Sequence, residues 1–310
     1  MSPDAIRDAV AEVRRLTGKP FAVNLFVPEP FDPSLYDPRE VNAPLARYRE
    51  ELGIEAPREI GDFVQPFEDQ LAVVLEERVP VFSFTFGIPE DAQLSTLKEA
   101  GTVLVGTSTT VREGLVLEER GVDAVVGQGS EAGEHRGTFI GDFESARVGM
   151  VALVPQLADS LSAPGITAGG IMDGRGLAAA LMLGVEGVQM GTTFLPCPES
   201  GIHPKYKEAV LAAQTEETSL TRAFSGKRLA ASATALRRRW ISKRSTAYRV
   251  QNAFTKDIRA AAAKEDRIGF LSLWAGQAAG LGRAVPAAEV VESTAREAAR
   301  RLSAIGPQQS

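Results

Sequence analysis

Along most of this chain, apolar and polar positions repeat one arrangement: an amphipathic stretch at helical spacing, a glycine, then a short Val-rich run. "VRRLTGKPFAVNLF", "LKEAGTVLVGT", "LEERGVDAVVGQG" and "LMLGVEGVQMGT" all show it. Gly18, Gly101, Gly121 and Gly184 fall where a helix C-terminus favours positive φ. In the first helix Ser2 suits the N-cap, Pro3 the first turn, and Ile6, Val10 and Val13 share one face. Apolar runs predict six strands, at 21–26, 79–86, 102–107, 123–129, 165–170 and 187–192, mostly continuous as in strands covered on both faces.

Strands alternating with helices argue for an α/β fold with a parallel sheet, either open and doubly wound or closed as a (β/α)8 TIM-type barrel. Six strands are too few to close that barrel, and the chain opens on a helix with no strand before it. Both features lead to the expectation that the barrel lacks its first two strands here and that the full product carries roughly forty more residues upstream. Residues 1–197 read as the barrel core of six βα units. Residues 198–272 read as a helical insertion or small domain with no clear strand, and its basic run "ALRRRWISKRS" as a solvated helix face. Residues 273–310 read as a closing C-terminal helix. The proline-containing segment 28–60 reads as a long loop over a strand's carboxyl end.

The 34 Lys and Arg against 40 Asp and Glu leave a net charge of −6, which offers no electrostatic footprint for nucleic acid or an anionic membrane. Cys197 is the single cysteine, so neither an intramolecular disulfide nor a multi-thiolate metal site can form, and a reducing, cytoplasmic setting is expected. The first residues carry charge and no long apolar run, unlike a signal peptide or membrane span.

Three strand ends concentrate glycine: "GQGSEAG", "AGGIMDGRG" and "QMGTTF". Glycine there lets backbone N–H groups approach an anion, and in barrels a phosphate commonly sits on the loops after the last two strands. Here those loops carry Gly169, Gly170, Gly191 and Thr192. Asp173 reads as a helix N-cap. Gln128, Gln189 and Asn24 place amides inside apolar strands, where each finds partners either within the protein or on the edge of a bound ring. His135 leaves the same end of the sheet, and an imidazole of ordinary pKa, about 6.5, can take a proton from a weak carbon acid or hydrogen-bond a developing anion. His203, before a helix, and Cys197 read as structural.

Together "GQGSEAGEHRGTF", "AGGIMDGRGLAAALMLGVEGVQMGTTFL", "PFAVNLFVPEP", "VFSFTFGIP" and "FLSLWAGQAAGL" resemble the nitronate monooxygenases, also called 2-nitropropane dioxygenases, flavin enzymes on a (β/α)8 barrel. The resemblance covers nearly the whole chain. It implies that Asn24, Gln128, Gly133, Gly170, Gln189, Met190, Gly191 and Thr192 contact FMN, whose phosphate would lie on the Gly170 and Gly191 loops. It also implies that His135 is the active-site histidine, acting as base on a neutral nitroalkane or orienting a bound nitronate, while the glycines let the flavin lie close. The partners implied are a small-molecule nitronate and O2, with carbonyl compound and nitrite released; a homodimer is compatible with the sequence. Where the family usually has Gly-Gly-His, this chain has Gly133, Glu134 and His135, and a carboxylate beside an imidazole favours its charged form. Two other readings remain: a flavin-dependent enoyl-acyl carrier protein reductase, which shares this barrel but needs NAD(P)H, and a truncated barrel without catalysis.

Overall fold

The structure, a computed structural model, describes residues 1–29, 32, 37–55, 66–221, 229–232 and 248–305. Helix α1 (Pro3–Leu16) forms as its pattern dictates: the Ser2 side chain accepts from the Ala5 N–H, and Ile6 and Val10 are buried. Six parallel strands follow, β1 (Ala22–Phe26), β2 (Val81–Thr85), β3 (Val103–Ser108), β4 (Ala124–Gln128), β6 (Gly165–Ala168) and β7 (Gly187–Gln189), hydrogen-bonded side by side in chain order. All six predicted strands are present, curled into a half-barrel. Helices α4 (Phe67–Glu76), α5 (Asp91–Glu99), α6 (Val111–Glu119), α7 (Met150–Ser160) and α8 (Gly174–Met182) make the crossovers, and α12 (Ala287–Ile305) packs on α8.

One face of the sheet packs on these helices. Phe82 and Phe84 of β2, Leu104 of β3 and Val125 of β4 meet Ile6 and Val10 of α1, Leu71 and Val74 of α4, and Leu97 of α5 in one core. The concave face is only half-buried, with Asn24 and Gln189 on the outer strands exposed. The expectation of strands covered on both faces therefore fails for the outer strands, and Phe26 is 42% exposed. Positive φ is found at Gly101, Gly121 and Gly184, but not at Gly18, because α1 ends instead on Thr17 in an extended conformation.

Two expectations are corrected. The segment 28–60 holds, in its described part, α2 (Pro38–Asn42), a 3-10 turn and α3 (Ala46–Glu51). Their Leu45, Tyr48 and Leu52 build a second core with Phe254 of α10 (Tyr248–Phe254), Ile258 and Ala262 of α11 (Lys256–Lys264), and Phe270. Arg49, buried, locks the halves together by donating to Asp257 at 2.7 Å, to Asn42 Oδ1 at 2.9 Å and to the Phe254 carbonyl at 2.8 Å. Apolar spacing in a segment that short resembles loop composition, so its helices depend on the distant partner. The stretch 198–272, expected to lack strands, holds β8 (Thr218–Thr221) and β9 (Leu229–Ser232) besides α9 (Pro204–Leu211). They pair antiparallel with each other, and β9 pairs with the two-residue β5 (Glu134–His135). Four-residue runs such as "TSLT" and "LAAS" are too short, and too poor in large apolar residues, to announce a ribbon held by backbone pairing. The basic run 235–245 lies outside the described residues. Among the described residues no helix is long and apolar enough to cross a membrane.

Candidate active site

The carboxyl ends of the six strands open into a cavity of about 350 Å³. Asn24, Gln128, Gly133, His135, Gly169, Gly170, Gln189, Met190, Gly191 and Thr192 all line it, so four sequence segments spread between Asn24 and Thr192 meet at one mouth. Residues that sequence reasoning missed line it as well, notably Phe86, Tyr206, Trp274 and Gly276.

The β4 loop is held by long-range bonds. The Gln128 side chain donates to the His135 carbonyl at 3.0 Å and accepts from the Gly137 N–H at 2.8 Å, so this amide finds internal partners and fixes the backbone on both sides of the histidine. Glu113, fully buried on α6, accepts from the Phe139 and Ile140 N–H groups and from the N–H and hydroxyl of Thr109. Arg136 turns its guanidinium into the protein, donating to the carbonyls of Gln128, Gly129 and Ala146. Burial pushes that guanidinium down to about 10, against the opposing pull of Glu113 and Glu131. Glu131 accepts from the Met150 N–H and so caps α7, whose Gly149 N-cap has no side chain to do it.

Gly133 also admits a neighbouring chain segment: a Cβ there would lie 2.5 Å from the Gly276 nitrogen and 2.7 Å from the Ala275 carbonyl carbon. That segment, 274–277, is a strap across the site: the Gln277 N–H donates to the Glu131 carbonyl at 2.9 Å, and the Gly276 N–H to Thr192 Oγ1 at 3.1 Å. Tyr206 donates from its hydroxyl to the Trp274 carbonyl, and burial pushes its phenol well above the ordinary value. The "FLSLWAGQAAGL" string held this signal as an aromatic two positions before a glycine, but its partners lie far off in sequence.

The late loops are tightly turned and tied to each other. Gly169 and Gly170 take φ of +114° and +71°, and the hydroxyl of Thr193 donates to the Met172 carbonyl at 3.1 Å, lacing the β6 and β7 loops together. A Cβ on Gly191 would meet nothing within 4 Å. No side chain caps the turn at Thr192–Phe194, whereas Asp173 caps α8 by accepting from Arg175 N at 2.9 Å. Burial works against the ionised Asp173, yet hydrogen bonds from Arg175 hold its carboxyl below the ordinary value. His203 caps α9 by accepting from the Lys205 N–H, and Cys197 is buried, its thiol pushed up by burial.

His135 is buried, its ring edge-on to Phe86 and Trp274 with centroids 6.0 and 5.4 Å away. Phe86 sits at φ +77° and Glu134 at φ +64°, left-handed conformations that cost side-chain-bearing residues on the order of 1–3 kcal/mol and that cluster at functional sites. Position 134 thus has the backbone of a glycine but carries a glutamate.

Sites at the carboxyl ends of parallel strands are the layout of TIM-barrel enzymes. The nitronate monooxygenase family model matches residues 1–297. A probable nitronate monooxygenase of Bacillus subtilis is 40% identical over 286 residues, covering 89% of this chain and 80% of that one. The nitroalkane oxidase of Streptomyces ansochromogenes superposes with a TM-score of 0.91 at 34% identity, covering 98% of this chain and 88% of that one. FabK from Thermotoga maritima follows at a TM-score of 0.75 and 31% identity, over 98% and 84%. The chain belongs to the nitronate monooxygenase family, a family of oxidoreductases.

Proposed function

We propose that the cavity binds FMN and that the protein oxidises alkyl nitronates with O2, releasing a carbonyl compound and nitrite. The observation that carries this reading is the meeting of the His135 loop with the Gly169–Gly170 and Gly191–Thr192 loops at one cavity. The residues fit the group: no Lys or Arg is among the described lining residues, so a phosphate would be held by backbone amides, and the vacant Cβ position of Gly191 leaves space beside them. Gly170, Gly191 and Thr192 would hold the phosphate, and Asn24, Gln189 and Met190 the ring. Asn24 keeps one partner within the protein, accepting from the Ser83 hydroxyl at 3.0 Å. When bound, the flavin supplies the redox chemistry, taking electrons from the nitronate and passing them to O2.

The protein's part is to position and to hold a proton. Gln128 and Glu113 fix the backbone around His135, and Phe86 and Trp274 fix its ring. The imidazole hydrogen-bonds a bound nitronate or takes the α-proton of a neutral nitroalkane. A cytoplasmic setting suits this chemistry. The reductase reading is favoured by the likeness to FabK, which is weaker than that to nitroalkane oxidase. Oxygen uptake by the purified FMN-loaded protein separates the two: nitronate alone drives it on the first reading, whereas consumption of NADPH with an enoyl thioester, and none of nitronate, supports the second. A protein that takes up no flavin defeats both.

A further inference from the structure

Glu134 is the one carboxylate among the described residues that line the cavity, and no lysine or arginine lines it with it. Its side chain is half-exposed to the cavity mouth, and Oε1 lies 3.7 Å from His135 Nδ1. The next cation along the loop, Arg136, is committed to three carbonyls below and balanced by Glu113 and Glu131. The backbone at Glu134 is clamped twice over. It pairs with Ala230 of β9 and stays at φ +64°, where glycine would relax the strain that a glutamate bears. The carboxylate's field reaches into the cavity, since it adds to burial in pushing up the phenol of Tyr206.

A negative charge fixed at the mouth repels an anion and attracts the imidazolium that forms when His135 accepts a proton. We propose that Glu134 is the specificity-determining residue of this cavity, selecting the neutral nitroalkane over its nitronate anion as the species that enters. This rests on the nitronate-oxidising function proposed above and names the protonation state of its substrate. The step balances: the α C–H bond breaks, the proton passes to the imidazole, and the electron pair moves into the nitro group. The nitronate then forms in place, and the imidazolium stands within ion-pair distance of Glu134.

The test uses the FMN-loaded protein, 1-nitropropane and its preformed nitronate, in assays short enough that neither form converts into the other. Glu134→Gln keeps the shape and removes the charge. It is expected to raise kcat/KM for the nitronate about threefold to tenfold, mainly through KM, and to lower kcat for 1-nitropropane by a similar factor. Added salt should shrink the nitronate effect. Nitrate, a small anion, serves as a probe without turnover: its affinity, followed by flavin absorbance, should tighten severalfold in Glu134→Gln and in Glu134→Gly. The glycine variant should keep the thermal stability of the parent, which separates a charge effect from misfolding. Equal changes for both substrates, or unchanged nitrate affinity, overturn the selection role while leaving the proposed function intact. A parent protein that oxidises neither substrate removes the function, and this role with it.

Discussion

Gly133 and Gly191 line the same cavity, and their Cβ environments differ so sharply that one methyl group tests the account at both. Neither position requires positive φ, so alanine is allowed by the backbone at each. At Gly133 the new Cβ would stand 2.5 Å from one backbone atom and 2.7 Å from another, and backbone cannot swing aside as a side-chain tip can. Restoring ordinary contact means parting the His135 loop from the 274–277 strap by about 1 Å, at about 1–3 kcal/mol for overpacking. The bonds from Gln277 to Glu131 and from Gly276 to Thr192 weaken with it, at about 1 kcal/mol each. The sum, about 3–5 kcal/mol, corresponds to a Tm lower by about 6–10 °C at roughly 2 °C per kcal/mol. Displacing His135 by about 1 Å should also cut kcat/KM about a hundredfold. Gly191→Ala meets nothing in the protein, so its Tm should stay within about 1 °C, while the methyl takes up the space assigned to the flavin phosphate and weakens FMN binding about tenfold or more. Differential scanning fluorimetry of the flavin-free proteins, followed by FMN titration, reads both. Equal destabilisation of the two variants, or a Gly133→Ala protein as stable and active as the parent, would refute the strap.

Other substitutions test single supports. Gln128→Leu leaves the His135 carbonyl and Gly137 N–H without their partner and should cost about 2–3 kcal/mol in urea unfolding, with kcat/KM down at least tenfold; an unaffected kcat/KM would mean that this amide does not position the histidine. Glu113→Ala removes the acceptor of four hydrogen bonds in a buried site and should cost about 3–5 kcal/mol, against which a loss under 1 kcal/mol would count. Arg49→Met strands the Asp257 carboxylate against the second core and should cost about 2–4 kcal/mol while leaving FMN affinity unchanged, measured by denaturation and titration in parallel.

The half-barrel was legible because its signal is local and repeated: a glycine ends α5, α6 and α8 and a Val-containing strand follows each, as at "LEERGVDAVVGQG". The site was legible to the extent that strand ends carry glycine and that all strand ends meet at one mouth in a parallel sheet. What stayed hidden depends on contacts between distant segments. Tyr206 and Trp274 are 68 residues apart and Arg49 and Asp257 are 208 apart, so no window of sequence holds either pair. Gln128 could be read as an amide seeking partners, but only the folded-back loop shows that residues seven and nine positions on supply them. The close approach of the 275–276 backbone to Gly133 stayed hidden for a related reason, since a glycine that admits another chain segment looks like any other in sequence.

The most direct test of a flavin site that serves nitronate oxidation is to mix the FMN-loaded protein with excess 1-nitropropane nitronate under strict exclusion of oxygen and of nicotinamide. The account predicts that the visible absorbance of the oxidised flavin disappears and returns when air is admitted. A band that persists with nitronate and is lost only on adding NADPH would contradict it.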